Sequence, residues 1–225
     1  MSKDENRCID IDQQQSKPEG LWTRPIGTAQ FTIVLAHGAG APMDSAFMQR
    51  IAELLAELGV AVFRFEFAYM AARRIDGKKR PPNPQAQLLE QWRYVWAQLR
   101  ADVDGPLVMA GKSMGGRMAS LLADELGADG LLCLGYPFYP AGKPEKPRVA
   151  HLAAFKTPTL IVQGERDALG NRQTVSTYEL SPAIELLWLA AADHDLKPLK
   201  SSGFTHEQCL QKTAQAVAQF FSAQP

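Results

Sequence analysis

The sequence has few cysteines, no net charge and no long hydrophobic run. Its three cysteines, Cys8, Cys133 and Cys209, are widely separated, and none belongs to a C-x-x-C pair typical of redox or zinc centres. They are most simply reduced thiols. Lysine and arginine together number 24, as do aspartate and glutamate, so the formal charge is zero. The composition therefore gives no global bias toward nucleic acid, and we expect no nucleic-acid partner.

The first ten residues are polar and charged, unlike the apolar stretch of a signal peptide. No later apolar run approaches the ~20 residues that span a bilayer. These absences predict a cytoplasmic protein with no membrane partner. Residues 1–20 include a Gln-Gln-Gln run without periodicity and are interpreted as a loose arm, either disordered or an edge strand. Residues 21–225 are expected to form a single domain, and the oligomeric state stays open.

The rest of the sequence alternates short apolar runs with amphipathic stretches, which is typical of an α/β fold. Near-continuous apolar runs predict a mostly parallel, doubly wound sheet of about six or more strands: 31–36, 60–65, 107–110, 130–134, 159–162 and 184–189. Helical periodicity predicts helices on both faces of this sheet: 44–58, 85–100, 113–126, a short one at 149–155, and 206–221. Thr205 is a candidate N-cap for the last helix.

Residues 111–115 (Gly-Lys-Ser-Met-Gly) form a G-x-S-x-G motif between a predicted strand and a predicted helix, the context of a nucleophile elbow. Such a turn forces Ser113 toward positive φ, which costs on the order of 1–3 kcal/mol. Gly111 and Gly115 remove side chains that would collide in the turn. The helix that follows is expected to leave three polar side chains for solvent: Arg117, Asp124 and Glu125. A phosphate-binding loop is disfavoured, because Pro106 stands where its spacing needs glycine.

Catalytic groups in doubly wound folds lie on the loops that leave the carboxyl ends of the strands. The first predicted strand is followed by residues 37–40 (His-Gly-Ala-Gly), a turn that can present backbone N–H groups beside Ser113. We therefore expect an oxyanion hole formed by the N–H groups of Ala39 and Met114. His37 is interpreted as a structural residue that fixes this loop.

An acid and a histidine follow two later strands. Asp167 follows the strand at 159–162 and His194 follows the strand at 184–189. The order serine, acid, histidine is the one that α/β-hydrolases use. In that order His194 removes the proton of Ser113, and Asp167 orients the imidazole. Three neighbouring carboxylates are weaker candidates for the acid: Glu165, Asp193 and Asp195.

Five segments carry a family resemblance: 37–40 (His-Gly-Ala-Gly), 63–67 (Phe-Arg-Phe-Glu-Phe), 111–117 (Gly-Lys-Ser-Met-Gly-Gly-Arg), 135–137 (Gly-Tyr-Pro) and 163–167 (Gln-Gly-Glu-Arg-Asp). From about Phe31 to Phe221 the chain resembles α/β-hydrolases of the dienelactone-hydrolase-like branch. Within that branch it resembles a group that includes testis-expressed protein 30 and a subunit of a histone-acetyltransferase complex. The resemblance implies the fold and acyl hydrolysis, but no substrate. Dienelactone hydrolases proper use a cysteine nucleophile, so the serine here departs from their pattern.

The segment 135–158 is short and rich in proline, so we expect no large lid over the site. Candidate substrate contacts in the open cleft are Gly38, Tyr69, Met70 and Tyr136. The basic loop at 73–80 and a second basic cluster (Lys143, Lys146 and Arg148) are expected on the catalytic face. They are candidates to attract an anionic substrate, although an ordinary solvated loop is favoured.

These patterns together predict a serine-dependent acyl hydrolase, esterase-like or thioesterase-like, that forms an acyl-enzyme on a small-molecule carbonyl substrate. No metal or organic cofactor is needed for this chemistry. The alternative is a noncatalytic interaction protein that keeps the fold and uses its basic face for partners. A strained serine argues against that alternative, because a binding module has no use for one.

Overall fold

Apolar runs buried on both faces form the central sheet. The computed structural model describes residues 18–223. In this part of the chain the strands are β1 (Gly20–Thr23), β2 (Thr32–Ala36), β3 (Ala61–Phe65), β4 (Leu107–Lys112), β5 (Gly130–Leu134), β6 (Thr159–Gly164) and β7 (Ile184–Leu189). Their order in space is β1-β3-β2-β4-β5-β6-β7, and only β1 runs antiparallel to its neighbour. The predicted mostly parallel α/β sheet is confirmed.

The six predicted strands are all present, and the differences from the prediction lie at their ends. β4 continues to Lys112, directly before Ser113, and β6 continues to Gly164. The additional strand β1 begins at Gly20, which pairs with Phe65 of β3. The rest of the predicted arm falls mainly on residues 1–17, which lie outside the described part of the chain. The division into an arm and a single domain stays a prediction.

Helices cover both faces of the sheet, as a doubly wound fold requires. They are α1 (Ala46–Glu57), α2 (Ala68–Asp76), α3 (Gln85–Asp102), α4 (Met114–Ser120), α5 (Arg172–Val175) and α6 (His206–Ser222). Buried side chains of α1 and α6 share one hydrophobic core, and those of α2, α3 and α4 share the core on the opposite face. The predicted N-cap is confirmed, because the Thr205 hydroxyl accepts the backbone N–H of Gln208 at 3.2 Å. None of the helices described is both long and apolar enough to cross a membrane.

Two helical predictions and one loop prediction need correction. α4 ends at Ser120 rather than 126, because the N–H groups of Leu121 and Leu122 bond to carbonyls three residues back and tighten the chain into turns. The segment 149–155 forms only a short 3₁₀ turn, Ala150–Leu152. The basic segment that was expected as a loop begins within α2.

Parallel pairing brings the carboxyl ends of β2, β4, β6 and β7 to one edge of the sheet. Ala36 at the end of β2 is opposite Gly111, and Gly164 at the end of β6 is opposite Leu189. The loops carrying the predicted site residues leave this edge. Between β5 and β6 the only helical element is the 3₁₀ turn, so the prediction of no large lid is confirmed for this described segment.

Candidate active site

Ser113 occupies a strained turn between β4 and α4. Its φ is 51° and its ψ is −114°, and its backbone N–H donates to the Leu134 carbonyl at 2.9 Å. A Cβ atom on Gly111 would lie 2.1 Å from the Gly116 nitrogen, and one on Gly115 would lie 2.6 Å from the His37 carbonyl oxygen. Larger residues at either glycine would push the turn apart. The glycines of the motif therefore allow the serine to project from the end of a buried strand.

A chain of two hydrogen bonds joins Ser113, His194 and Asp167. Ser113 Oγ lies 2.8 Å from His194 Nε2, and His194 Nδ1 lies 2.8 Å from Asp167 Oδ2. The Asp167 side chain is fully buried, whereas that of His194 is 26% exposed. Because a carboxylate only accepts, Nδ1 carries the imidazole proton and Nε2 is left to accept from the serine hydroxyl. This is the geometry that transfers a proton from a serine to a histidine.

Further donors hold the Asp167 carboxylate in place. Gln163 Nε2 donates to Oδ2 at 2.7 Å, and the Leu169 N–H donates to Oδ1 at 2.7 Å. Gln163 is itself fixed, because its amide bonds to both the N–H and the carbonyl of Tyr136 and to the Gly170 carbonyl. The sequence prediction missed Gln163. A polar residue at the end of an otherwise apolar strand was the available signal.

The three alternative acids are engaged elsewhere. Glu165 pairs with Arg172 at 2.7 Å and accepts the Ala191 N–H. Asp193 accepts the N–H groups of Asp195 and Lys197 and so caps a turn. Asp195 pairs with Lys112 at 3.2 Å. Asp167 is the carboxylate bonded to the His194 ring.

The candidate oxyanion donors lie on either side of Ser113. Met114 is the first residue of α4, where a backbone N–H has no partner within the helix. Ala39 lies on the loop after β2 and, like Met114, contributes to a cleft that includes Ser113. Within residues 18–223 neither N–H donates to a protein group. Both are therefore free to bind a developing oxyanion.

Two buried side chains, His37 and Tyr69, fix the loop after β2. His37 Nε2 accepts the Phe67 N–H at 3.1 Å, and its Nδ1 donates to the Gly38 carbonyl at 2.6 Å. Burial lowers the pKa of His37, so the ring is held neutral, in keeping with the structural role expected for it. The Tyr69 hydroxyl donates to the Ala39 carbonyl at 3.0 Å, and burial raises the pKa of Tyr69 to about 12. Both contacts fix the loop without reaching the reacting atoms.

The candidate substrate contacts divide into one on the cleft wall and three in the core. Gly38 lines the cleft beside Ser113. Tyr69, Met70 and Tyr136 are no more than 4% exposed and belong to the hydrophobic core that α2, α3 and α4 share. The phenol of Tyr136 donates to the Arg148 carbonyl at 3.2 Å rather than facing the cleft. The structure therefore does not bring these three side chains beside Ser113.

Two open clefts meet at Ser113 and Ala39. The first, here called the apolar cleft, has a volume of about 420 Å³ and is lined by residues 38–41, Phe47, Met48, Lys112, Ser113, His194 and others. The second, here called the arginine cleft, has a volume of about 430 Å³ and is lined by Ala39, Gln85, Ser113, Met114, Arg117, Arg148 and others. A molecule bound at Ser113 can extend into both.

Lys112 was not singled out from the sequence, although it precedes the serine. It is buried, and its Nζ donates to the His194 carbonyl at 2.8 Å. Burial lowers the pKa of Lys112, and the pairing with Asp195 opposes this shift. Lys112 thus ties the loop that carries His194 to the strand that carries Ser113.

Two of the five basic side chains in the predicted basic loop at 73–80 are paired with carboxylates. Arg74 of α2 binds Glu66 at 2.6 Å and Asp44 at 2.7 Å, and Arg80 binds Asp76. These pairs neutralise part of the positive charge that this segment could offer a ligand.

No metal site is formed by the described side chains, since no three His, Cys, Asp or Glu residues cluster there. Cys133 and Cys209 are buried free thiols. Cys8 lies outside the described residues.

This sheet, with a strained serine bonded to a histidine and an acid at its carboxyl edge, has the layout of an α/β-hydrolase. The sequence matches the family model described as an alpha/beta hydrolase domain over residues 29–222, and the chain belongs to that family. A search of the curated proteins found no match.

Solved structures of three proteins share the fold. An α/β serine hydrolase without a lid from Xanthomonas campestris is 20% identical, with a TM-score of 0.64 over 91% of this chain and 93% of that one. A dienelactone hydrolase from Anabaena variabilis is 21% identical, with a TM-score of 0.67 over 90% and 89%. Est1E from Butyrivibrio proteoclasticus, bound to ferulic acid, is 17% identical, with a TM-score of 0.66 over 92% and 94%.

Proposed function

We propose that the protein is a serine-dependent acyl hydrolase that cleaves small carbonyl esters or thioesters through an acyl-enzyme. The observation that carries the proposal is the pair of 2.8 Å hydrogen bonds linking Ser113, His194 and Asp167. Strain at Ser113 adds support, because backbone strain of about 1–3 kcal/mol persists where function requires it.

In this mechanism Ser113 Oγ attacks the substrate carbonyl carbon while His194 Nε2 takes the hydroxyl proton. The carbonyl electron pair moves to the oxygen, which the N–H groups of Ala39 and Met114 stabilise; each such donor is worth about 10²–10³ in rate. The intermediate collapses, the bond to the leaving group breaks, and that group takes the proton from His194. Water then attacks the acyl carbon and gives a proton to His194. The bond between that carbon and Ser113 Oγ breaks, Oγ takes the proton back from His194, and the carboxylic acid leaves. Asp167 stabilises the imidazolium at each stage.

The substrate class rests on the two open clefts and on the relatives. Est1E holds ferulic acid, a small aromatic acid, in a fold of the same kind. The described segment between β5 and β6 forms no large lid, which favours a small or exposed acyl substrate over a buried lipid chain. The narrower resemblance to the group that includes testis-expressed protein 30, and a cytoplasmic location, stay predictions.

Labelling with a fluorophosphonate probe tests this proposal without a known substrate. We expect one probe molecule per chain, and mass spectrometry should locate it on Ser113. Ser113→Ala should not be labelled, and His194→Ala should be labelled about 10²-fold or more slowly than wild type. Ser176→Ala is the matched control, since Ser176 is exposed and lies outside both clefts. A folded wild-type protein that fails to react would favour the noncatalytic interaction protein.

A further inference from the structure

Arg117 departs from its sequence prediction in a way that bears on substrate choice. It was expected to face solvent, but it is half-buried and lines the arginine cleft beside Ser113. Its Nη1 donates to Gln85 Oε1 at 3.2 Å, while its Nε is buried without a partner. The bond to Gln85 therefore satisfies only part of the guanidinium, which lines the cleft with its hydrogen-bonding capacity incompletely used.

Arg148 brings a second guanidinium to the same cleft. It follows β5 in the proline-rich segment, and its charge acts on Arg117, whose pKa is lowered first by burial and further by this like charge. Two neighbouring cations that are partly removed from water repel each other. An anion between them would relieve that repulsion.

No carboxylate of the described chain supplies that anion. The lining of the arginine cleft includes no aspartate or glutamate. Neither Arg117 nor Arg148 makes an ion pair within residues 18–223. Many other arginines of the same chain do pair with carboxylates: Arg50, Arg74, Arg80, Arg93, Arg100 and Arg172. The positive charge of the arginine cleft is therefore available to a ligand.

We propose that Arg117 and Arg148 form a carboxylate-binding subsite, so that the preferred substrate carries a carboxylate in addition to its scissile ester. This inference rests on the proposed function. The planar guanidinium presents paired N–H donors that match the two oxygens of a carboxylate. The arginine cleft also contains Ser113 and Met114, so one small molecule can contact the nucleophile, a candidate oxyanion donor and the two arginines.

Positions along α4 set the reach of such a substrate. The Arg117 N–H donates to the Ser113 carbonyl at 3.0 Å, so the two residues are about one helical turn apart, about 6 Å along the axis. A carboxylate a few bonds from the scissile carbonyl therefore suits the site. The apolar cleft differs in the charge that it offers, because Lys112, which lines it, is already paired with Asp195. The anionic end of the substrate belongs in the arginine cleft and the uncharged part in the apolar cleft.

Paired esters that differ only in charge test the subsite. The first pair is p-nitrophenyl hemiglutarate and its methyl ester, in which the carboxylate is on the acyl side. The second pair is 4-acetoxybenzoate and its methyl ester, in which the carboxylate is on the leaving-group side. The quantity measured is the ratio of kcat/KM for the charged ester to that for the neutral ester, in wild type, Arg117→Gln and Arg148→Gln.

In at least one pair the wild type should prefer the charged ester, and each arginine variant should reduce the ratio by about 10- to 100-fold, as expected for a lost charge-assisted hydrogen bond. Lys156→Gln is the matched control, because it removes one exposed positive charge from the same proline-rich segment without altering the cleft lining. It should leave the ratio within about threefold. An unchanged ratio in both arginine variants, or an equal fall in Lys156→Gln, would overturn the subsite.

A binding measurement separates failure of the subsite from failure of the proposed catalysis. Glutarate and 4-hydroxybenzoate, the carboxylate-bearing products of the two charged esters, are each titrated calorimetrically into Ser113→Ala and into the same protein that also carries Arg117→Gln. Binding that is lost with Arg117→Gln would support the subsite even if no ester were cleaved and no probe reacted. Binding of equal strength in both proteins, or no binding of either product, would contradict it.

Discussion

Replacing Asp167 by asparagine alters the buried acid with almost no change in shape. The carboxylate accepts hydrogen bonds from His194 Nδ1, Gln163 Nε2 and the Leu169 N–H. Asparagine offers only one oxygen. If that oxygen keeps the bond to the Leu169 N–H, the new amide NH₂ group faces His194 Nδ1 and Gln163 Nε2, both of which donated to the carboxylate. His194 then has to accept at Nδ1, which places its proton on Nε2, toward Ser113.

A histidine protonated at Nε2 cannot take the serine proton. In serine triads this wrong tautomer lowers turnover by about 10⁴-fold, equivalent to about 5 kcal/mol of transition-state stabilisation. We expect a loss of this size in both p-nitrophenyl acetate hydrolysis and fluorophosphonate labelling of Asp167→Asn. The donor conflict at Gln163 should also destabilise the fold by about 1–3 kcal/mol, measured by urea unfolding.

Two other carboxylates near the histidine serve as controls. Asp193→Asn and Glu165→Gln remove acids that bond elsewhere, and each should keep the turnover within about threefold of wild type. Near-wild-type turnover in correctly folded Asp167→Asn, or a comparable loss in Asp193→Asn, would show that Asp167 does not orient the histidine.

Two further predictions concern buried groups around the site. Lys112→Met removes the hydrogen bond to the His194 carbonyl and should lower kcat on p-nitrophenyl acetate by about 10- to 100-fold. Asp195→Asn breaks the ion pair but keeps that bond, so its loss should be smaller, and equal losses would contradict a positioning role for Lys112. Burial lowers the pKa of His37, so below about pH 6.5 the unfolded chain takes up a proton that the folded protein does not. The free energy of unfolding should therefore fall as the pH is lowered, by up to about 1.4 kcal/mol per pH unit. The comparison is made in a His151→Asn background, because burial also lowers the pKa of His151. Between about pH 7.5 and about pH 5.5, urea unfolding should show a smaller fall in the free energy of unfolding when His37→Asn is added. An identical fall with and without His37 would be contrary to this account.

The sequence predicts the strands well because buried parallel strands are continuous apolar runs, which stand out from their surroundings. Ser113, Asp167 and His194 each follow such a run. Once the strands are placed side by side, these three residues fall on one edge of the sheet. Their roles as nucleophile, acid and base follow from the proposed mechanism, whereas their proximity follows from the fold.

Other features depend on contacts between distant segments. β1 is short and half-exposed, and it forms because Gly20 to Thr23 pair with β3. Tyr69 and Tyr136 look like cleft residues in the sequence, but their hydroxyls bond to backbone carbonyls far along the chain. Arg117 has a polar position on its helix, yet Gln85 and the segment after β5 enclose it. Periodicity describes one helix at a time and carries no such information.

The separation of Ser113 and His194 by 81 residues has a consequence for how the protein is made. On the ribosome the serine emerges long before its histidine, and even the bond from its N–H to Leu134 requires β5. On the proposed mechanism, the hydroxyl is therefore not activated in a partly synthesised chain that lacks β6 and β7. Attachment of the probe to Ser113 would thus also report that these two strands have joined the sheet.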